Sequence, residues 1–534
     1  MTARALWGKR FIAAVCALVL AGVFLSACKN NRASPDALRM NLGTEPPSLD
    51  WSLATDSTSI LVLNNLMEGL TRYDESLVAV PALAESWGVS DDGIVYTFRL
   101  RKDVIWTDGV PLIAQHFADG WRRLLDPATA AEYAYFLYDV AGAREYNSGK
   151  TSDFSTVGVR AVDDHTLEIR LKKPVVYFPA VLTFVATFPI RSDVVGKWPD
   201  TWTEPGRMVT LGPYKLESWR HEYRLTLARN EKYYGRVPQI DRIEMFMVGE
   251  QNTALDLYET GVLDIVSVPP HAVPHYGSHS DYLEGPFFAI FYLGFNVTRP
   301  PFDDPLVRRA FSHAVDREKV AKVLQGGRIP WSGWIPPGME AGDAEVGYRF
   351  DPERARKLLG QAGYGAQKKL PEVRLGFNTN LPNKMVVTNI QAQWRSNLGI
   401  EVRLDNMEWK VYLQKLRDDT PQVFRLGWVS DYPDPDNFMK VFTSTSGNNH
   451  TKWKNPAYDR LVEAAAYERD PAARRRMYNE AQRILLEEDC VIAPLFASKL
   501  HRLVSPRVKG FKLNPMDVLY LDRLSFGSSG GAGR

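Results

Sequence analysis

Cysteine is nearly absent, with three residues in 534, at positions 16, 28 and 490. Cys16 lies inside an apolar N-terminal run and Cys28 at its end, so Cys490 stands alone and an intrachain disulfide in the main body is excluded. A chain this long can bury a large core without such staples. Cys490 then reads as a small core hydrophobe near the end of a helix. The spacings of common catalytic and metal sites are missing as well: there is no CxxC, no HExxH, no GxxxxGK[ST] and no GxGxxG. None of the nine histidines is spaced i, i+4 from another with a carboxylate between, so neither a metal nor a cofactor is expected. Gly527-Ser528-Ser529-Gly530-Gly531 matches G-x-S-x-G in form, but a nucleophile elbow needs a strand before it and a helix after it, and this stretch is a terminal tail. Charge of one sign is also lacking. Lys plus Arg number 65 against 63 for Asp plus Glu, a net +2, and no basic stripe offers a footprint for nucleic acid.

What is present begins at the N-terminus. Arg4, Lys9 and Arg10 precede an apolar run from Phe11 to Leu25, which has the parts of a secretory signal and is too short to span a bilayer comfortably. The run ends in Leu25-Ser26-Ala27-Cys28, which resembles the bacterial lipobox. That resemblance implies cleavage before Cys28 and acylation of its thiol, tethering a water-soluble body to a membrane; an ordinary cleaved signal is the alternative. The sequon Asn296-Val297-Thr298 carries little weight beside a lipobox. The whole chain is 45% hydrophobic and 24% charged, as in globular proteins of two to four domains, with 14 Trp and 23 Tyr available for recognition or for core packing.

Periodicity mixes strands and helices along the chain. Strands are expected at Ala37 to Leu42, around Ile94 to Leu100, at Leu167 to Leu171, at Ile400 to Leu404 and at Val491 to Phe496. Helices are expected through Ile60 to Met67, through Phe117 to Leu125 ending at Asp126-Pro127, through Ile390 and Trp394 before Gly399, and over Pro456 to Arg469 and Pro471 to Asp489. Asp303/Asp304 before Pro305 and Asp351 before Pro352 mark helix starts, the acid capping free amides and the proline taking a position that needs no donor. Gly363 fits a helix end, and Gly527 to Arg534 reads as a disordered tail.

Several segments resemble, in order and spacing, the large extracytoplasmic solute-binding proteins of the oligopeptide and dipeptide class, family 5. They are Leu100-Arg101-Lys102-Asp103-Val104-Ile105-Trp106-Thr107-Asp108-Gly109, Leu211-Gly212-Pro213-Tyr214, Phe295-Asn296 through Pro301-Phe302-Asp303, Val307-Arg308-Arg309-Ala310-Phe311 and Ala314-Val315-Asp316-Arg317. Glu408-Trp409-Lys410 and Arg425-Leu426-Gly427-Trp428-Val429-Ser430-Asp431-Tyr432 are similar to the pocket of its oligopeptide-binding members. The resemblance runs from about Leu38 to Leu524. It implies an α/β fold of the periplasmic-binding-protein type (class II, cluster C), with two main lobes, an inserted domain and ligand in the interlobe cleft. The implied division is 1–27 signal and 28–37 linker; then 38–71, 204–286 and 506–526 as a discontinuous domain I, 72–203 as an inserted domain II, 287–505 as domain III and 527–534 as tail.

The resemblance also implies roles. Asp431 matches the aspartate that pairs with a bound peptide's amino terminus, although in Asp-Tyr-Pro-Asp-Pro it can equally begin a stiff turn. Trp409, Gly427 and Trp428 match pocket positions, and Arg425 matches a position where its fork can take a carboxylate; core packing and a structural ion pair are their alternatives. Tyr133, Phe136, Trp331 and Trp334 are further lining candidates. Val429 and the strand around Phe287 to Tyr292 lack the cysteines of a disulfide some relatives carry, and Asn383 stands where an oligopeptide-binding member has a histidine. The implied function is capture of short peptides by a monomeric lipoprotein that delivers them to the permease of an ABC importer. Another cargo on the same fold (murein peptide, dipeptide, haem, metal chelate or sugar), a secreted hydrolase, and a chaperone or peptide sensor are the competing readings.

Overall fold

The computed structural model describes residues 36–527 except 176, 343–344 and 366–367. The signal segment, Cys28 and the tail from 528 lie outside the described residues. The organising element is a mixed sheet of eleven strands. In spatial order it runs Val402–Met407, Val373–Asn378, Val423–Val429, Tyr282–Phe295, Ile492–Val504, Ile265–Ser267, Ala37–Asn41, Arg242–Phe246, Arg224–Arg229 and Tyr214–Arg220, with Ile329–Pro330 attached to Ile492–Val504.

Two of these strands are long, 14 residues for Tyr282–Phe295 and 13 for Ile492–Val504, and they pair antiparallel. At one end Ile492–Val504 also bonds Ile265–Ser267; at the other, Tyr282–Phe295 bonds Val423–Val429. Together they carry the sheet from one half of the molecule to the other. Their register slips between Pro286 and Ile290 and again between Phe291 and Tyr292. Proline has no amide to give the ladder, and slips of this kind bend and twist a strand pair. At the first slip the Phe288 amide turns aside to donate to the Pro515 carbonyl, while its carbonyl accepts from Ser430 N at 2.9 Å. The bend therefore falls beside the Ser430–Asp431 segment.

Local chemistry sets the elements around this spine. Asp304 accepts from Leu306 N and Asp351 from Arg354 N, each followed by proline in the first helical turn. The helix Leu381–Leu398 is capped by Asn380, buries Val386, Val387, Ile390 and Trp394, and ends at Gly399 with φ of +70°. It links the parallel strands Val373–Asn378 and Val402–Met407. Residues 84–170 form a separate four-stranded antiparallel sheet whose Val95–Leu100 strand turns Tyr96, Phe98 and Leu100 inward.

Three expectations need correction. The last apolar strand runs far past Phe496, to Val504, because its second half pairs with Ile265–Ser267 and Tyr282–Pro286. The helix from Pro471 is α-helical only to Arg483 and then widens into a π turn, Ile484–Glu488, before the fully buried Cys490 at φ +47°. Ile400 lies outside the strand that begins at Val402.

The four-stranded part meets residues 435–467 across a buried ionic contact. Lys440 Nζ lies 2.8 Å from Asp139 Oδ2 and 3.0 Å from Asp436 Oδ2. Tyr177 is hydrogen-bonded to Lys440 at 2.9 Å, and the Tyr467 hydroxyl donates to Asp139. No described helix is long and apolar enough to cross a membrane.

Candidate ligand-binding site

A cavity of about 330 Å³ lies where the sheet's two halves and the 84–170 part converge. Its walls include Ile60 and Tyr520 from one side, Tyr133 and Phe184 from another, and Trp409, Gly427, Trp428 and Asp431 from a third.

Asp431 lies two residues past the end of the strand Val423–Val429. Its carboxylate accepts from the Tyr133 hydroxyl at 3.2 and 3.3 Å and from Asn437 Nδ2 at 3.2 Å. The same Asn437 turns its Oδ1 to the Asp431 amide at 3.1 Å and to the Trp428 indole at 2.9 Å. One fully buried amide side chain thus holds both the wall and the acid in place. Burial pushes the Asp431 carboxyl up to about 7, and the bonds from Asn437 and Tyr133 only partly oppose that.

The other charged groups on the cavity wall are already answered. Asp56 caps the helix Ser57–Leu66 through the amides of Thr58 and Ser59. Arg502 and Asp517 pair with each other at 2.5 Å. His450 is held neutral, pushed down to about 3 by burial. Asp431 has neither a cation nor a helix end among the described residues, so the wall presents one uncompensated carboxylate.

Gly427 borders the cavity for a steric reason. A Cβ there would meet the Phe291 ring at 2.6 Å, and Phe291 is its partner across the ladder. The glycine lets that ring lie flat over the strand, where it carries the Arg425 guanidinium 4.8 Å from its centroid. Arg425 is 8% exposed, pairs with no carboxylate among the described residues, and is pushed down to about 10, chiefly by burial. Its Nε is sealed and unpartnered.

The remaining expected residues divide. Trp409 lines the cavity half-buried, and Tyr133 does so with its hydroxyl on Asp431. Phe136 stands one layer behind, edge-on to Tyr133 and Tyr432. Trp331 and Trp334 do not line this cavity: the Trp331 indole donates to Ile335 O, and the fully buried Trp334 donates to Phe438 O among Tyr292, Phe438 and Phe442. Trp334 is a core residue, and a large ring's tendency to be buried does not tell which space it fills. Asn383 is buried in the first turn of its helix, bonded to Asn378. Val429 faces Ala289, so no disulfide joins these strands. Asn437 and Asp56 were not apparent from sequence; only the capping preference before Ser57 could have signalled Asp56.

Residues 78–450 match the model of the bacterial extracellular solute-binding proteins, family 5 Middle. The chain is 33% identical over 484 residues to the oligopeptide-binding protein OppA of Bacillus subtilis, covering 88% of each. Among solved structures it is similar to Haemophilus influenzae OppA in complex with the peptide RPPGFSPFR, with TM-score 0.87, 31% identity, and coverage of 92% of this chain and 99% of that one. Against the unliganded open form of the periplasmic murein tripeptide binding protein MppA the TM-score is 0.62, at 32% identity and coverage of 92% and 98%.

Proposed function

We propose, from the premise that this chain belongs to the bacterial extracellular solute-binding proteins of family 5, that it captures short peptides by both ends and passes them to a membrane importer. The observation that carries this reading is the pattern of uncompensated charge: a carboxylate at Asp431 and a guanidinium at Arg425, six residues apart on one segment. At about 3.3 Å per residue their backbones are separated by at most roughly 20 Å. An extended peptide of a few residues has the matching ends, an ammonium and a carboxylate. Each needs a counter-charge once water is excluded. Trp409, Trp428 and Tyr133 supply apolar and polar wall beside Asp431, while Arg425 lies outside the lining of that cavity, over the Phe291 ring, and the exposed edges of a peptide backbone can bond without regard to sequence.

In this reading 38–71, 204–286 and 506–526 form one domain, 72–203 an inserted one and 287–505 a third, hinged through the two long strands. The protein acts as a monomer outside the cytoplasmic membrane, tethered by acyl chains on Cys28 and engaging an ABC permease when closed. It is a binder rather than an enzyme. Denaturing the purified protein and analysing the released solutes by mass spectrometry is expected to yield intact short peptides. Release of haem, sugar or a metal chelate instead, or cleavage of added peptides, would overturn the reading.

The position of the Asp431 carboxyl gives a pH signature. A carboxyl raised from 3.8 to about 7 is protonated in the ligand-free protein at pH 6. An arriving ammonium favours the ionised form, so uptake of a free-amine peptide at that pH releases about one proton. The sign for stability follows: the neutral carboxyl's contribution is full below 3.8 and is lost as pH rises through about 7. Calorimetry in two buffers of different ionisation enthalpy measures the proton count. Asp431→Asn should reduce it to near zero, and an equal count in both proteins would contradict the assignment.

A further inference from the structure

We infer that Arg328 joins Arg425 in a two-guanidinium receptor, and that this protein therefore prefers peptides whose last residue carries a second carboxylate, such as Glu or Asp. The inference rests on the peptide reading above and narrows its ligand class.

Arg328 immediately precedes Ile329–Pro330, which pairs with Ala497 and Phe496. Its guanidinium lies over the Phe496 ring, 5.8 Å from the centroid, as that of Arg425 lies over Phe291. Phe291 and Phe496 are opposite one another on the two long strands, and their rings stack at 5.1 Å with 26° between planes. Two cations from distant parts of the chain thus share one aromatic platform. They are close enough that the charge of Arg328 opposes that of Arg425.

Neither guanidinium has a carboxylate or a hydrogen-bond acceptor among the described residues, and both Nε atoms are sealed without partners. The terminal nitrogens also lack protein partners but are not among the sealed atoms, so they retain accessible surface. Three buried arginines elsewhere are treated differently. Arg308 is held by the carbonyls of Phe302, Asp303 and Asp489, Arg317 by those of Pro494 and Tyr348, and Arg474 by Asp434. His501 stands close enough to feel both Arg328 and Glu284, but Glu284 is taken by Lys499 at 2.5 Å and burial keeps His501 toward its neutral form.

Keeping two like charges beside each other away from bulk water is costly unless an anion answers them. The charge count then specifies the guest. Its ammonium answers Asp431 and its main-chain carboxylate answers Arg425, which leaves one positive charge at Arg328. A carboxylate on the side chain of the last residue branches from the same Cα as the terminal one and can reach the second fork, each fork taking its own carboxylate in the bidentate manner.

The test is calorimetry with Ala-Ala-Glu, Ala-Ala-Gln and Ala-Ala-Ala on the wild-type protein and on Arg328→Gln. The wild type is expected to bind Ala-Ala-Glu about tenfold or more tighter than Ala-Ala-Gln, the scale of one charged hydrogen-bonded contact. Arg328→Gln should erase that preference while changing Ala-Ala-Gln affinity by less than about threefold. Equal wild-type affinity for the Glu and Gln peptides overturns the inference whether or not the variant folds. So does a variant that weakens all three peptides alike, which would place Arg328 on the shared terminal carboxylate. Both results leave the peptide reading standing. If none of the three peptides binds the wild type, the peptide reading falls and the inference with it.

Discussion

Asp431→Asn is expected to weaken binding of a free-amine tripeptide by about 2–5 kcal/mol, the cost of removing one partner from a desolvated charge pair. The substitution preserves the size of the side chain and its place against Tyr133 and Asn437. It removes the ability to carry negative charge. The remaining groups cannot take over: Asp56 is committed to a helix end, Asp517 to Arg502, and His450 is neutral. The loss should appear in calorimetric affinity with little change in thermal stability in the absence of peptide. Unchanged affinity would mean that Asp431 only begins a turn, with Tyr133 and Asn437 satisfying it for structural reasons.

Lys440→Met should lower the stability of the folded protein by about 3–5 kcal/mol in denaturant unfolding, because breaking a buried pair leaves its partners charged and unpaired. Here the stranded partners are Asp139, buried, and Asp436, fully buried with one carboxylate oxygen already lacking a hydrogen-bond partner. Burial raises the Asp436 carboxyl, and Lys440 is the main charge opposing that rise. Adding Asp436→Asn to Lys440→Met should recover part of the loss, since one of the two stranded charges is then gone. A loss below about 1 kcal/mol would identify the contact as effectively solvent-screened. The contact joins the 84–170 part to the 435–467 segment, so its loss should also loosen the packing that places Tyr133 over Asp431.

How legible this was from sequence depended on how local each cause was. The helix starts at Pro305 and Pro352 could be read because an acid, a proline and the amides they serve lie within four residues. The Ile492–Val504 strand was half missed, because its far end is strand only through pairing with segments more than 200 residues away. Its partner was obscured by Gly285 and Pro286, residues that argue against a continuous strand and here mark the slip. At the site, Asp431, Trp428, Gly427 and Trp409 were found through resemblance and Tyr133 as an aromatic in a Tyr-rich stretch, and they do converge on one cavity, whose lining does not include Arg425. Their chemistry alone left turn, core and ligand roles open, and for Asp431 it favoured the turn. Trp334 and Phe136 carried the same aromatic signal and belong to the layers behind. Asn437 gave no signal at all: its three contacts exist only because the helix Pro435–Lys440 folds back against the end of the Val423–Val429 strand. Arg425 and Arg328, about a hundred residues apart, are brought together by strands rather than by any motif.

A thermodynamic cycle probes the amine recognition most directly: wild type and Asp431→Asn, each titrated with Ala-Ala-Ala and with N-acetyl-Ala-Ala-Ala. If the acid and the ammonium meet in the closed cleft, either change alone should cost about 2 kcal/mol or more, and the second should add little once the first is made. Two fully additive losses, or an acetylated peptide that binds the wild type as tightly as the free one, would contradict the assignment.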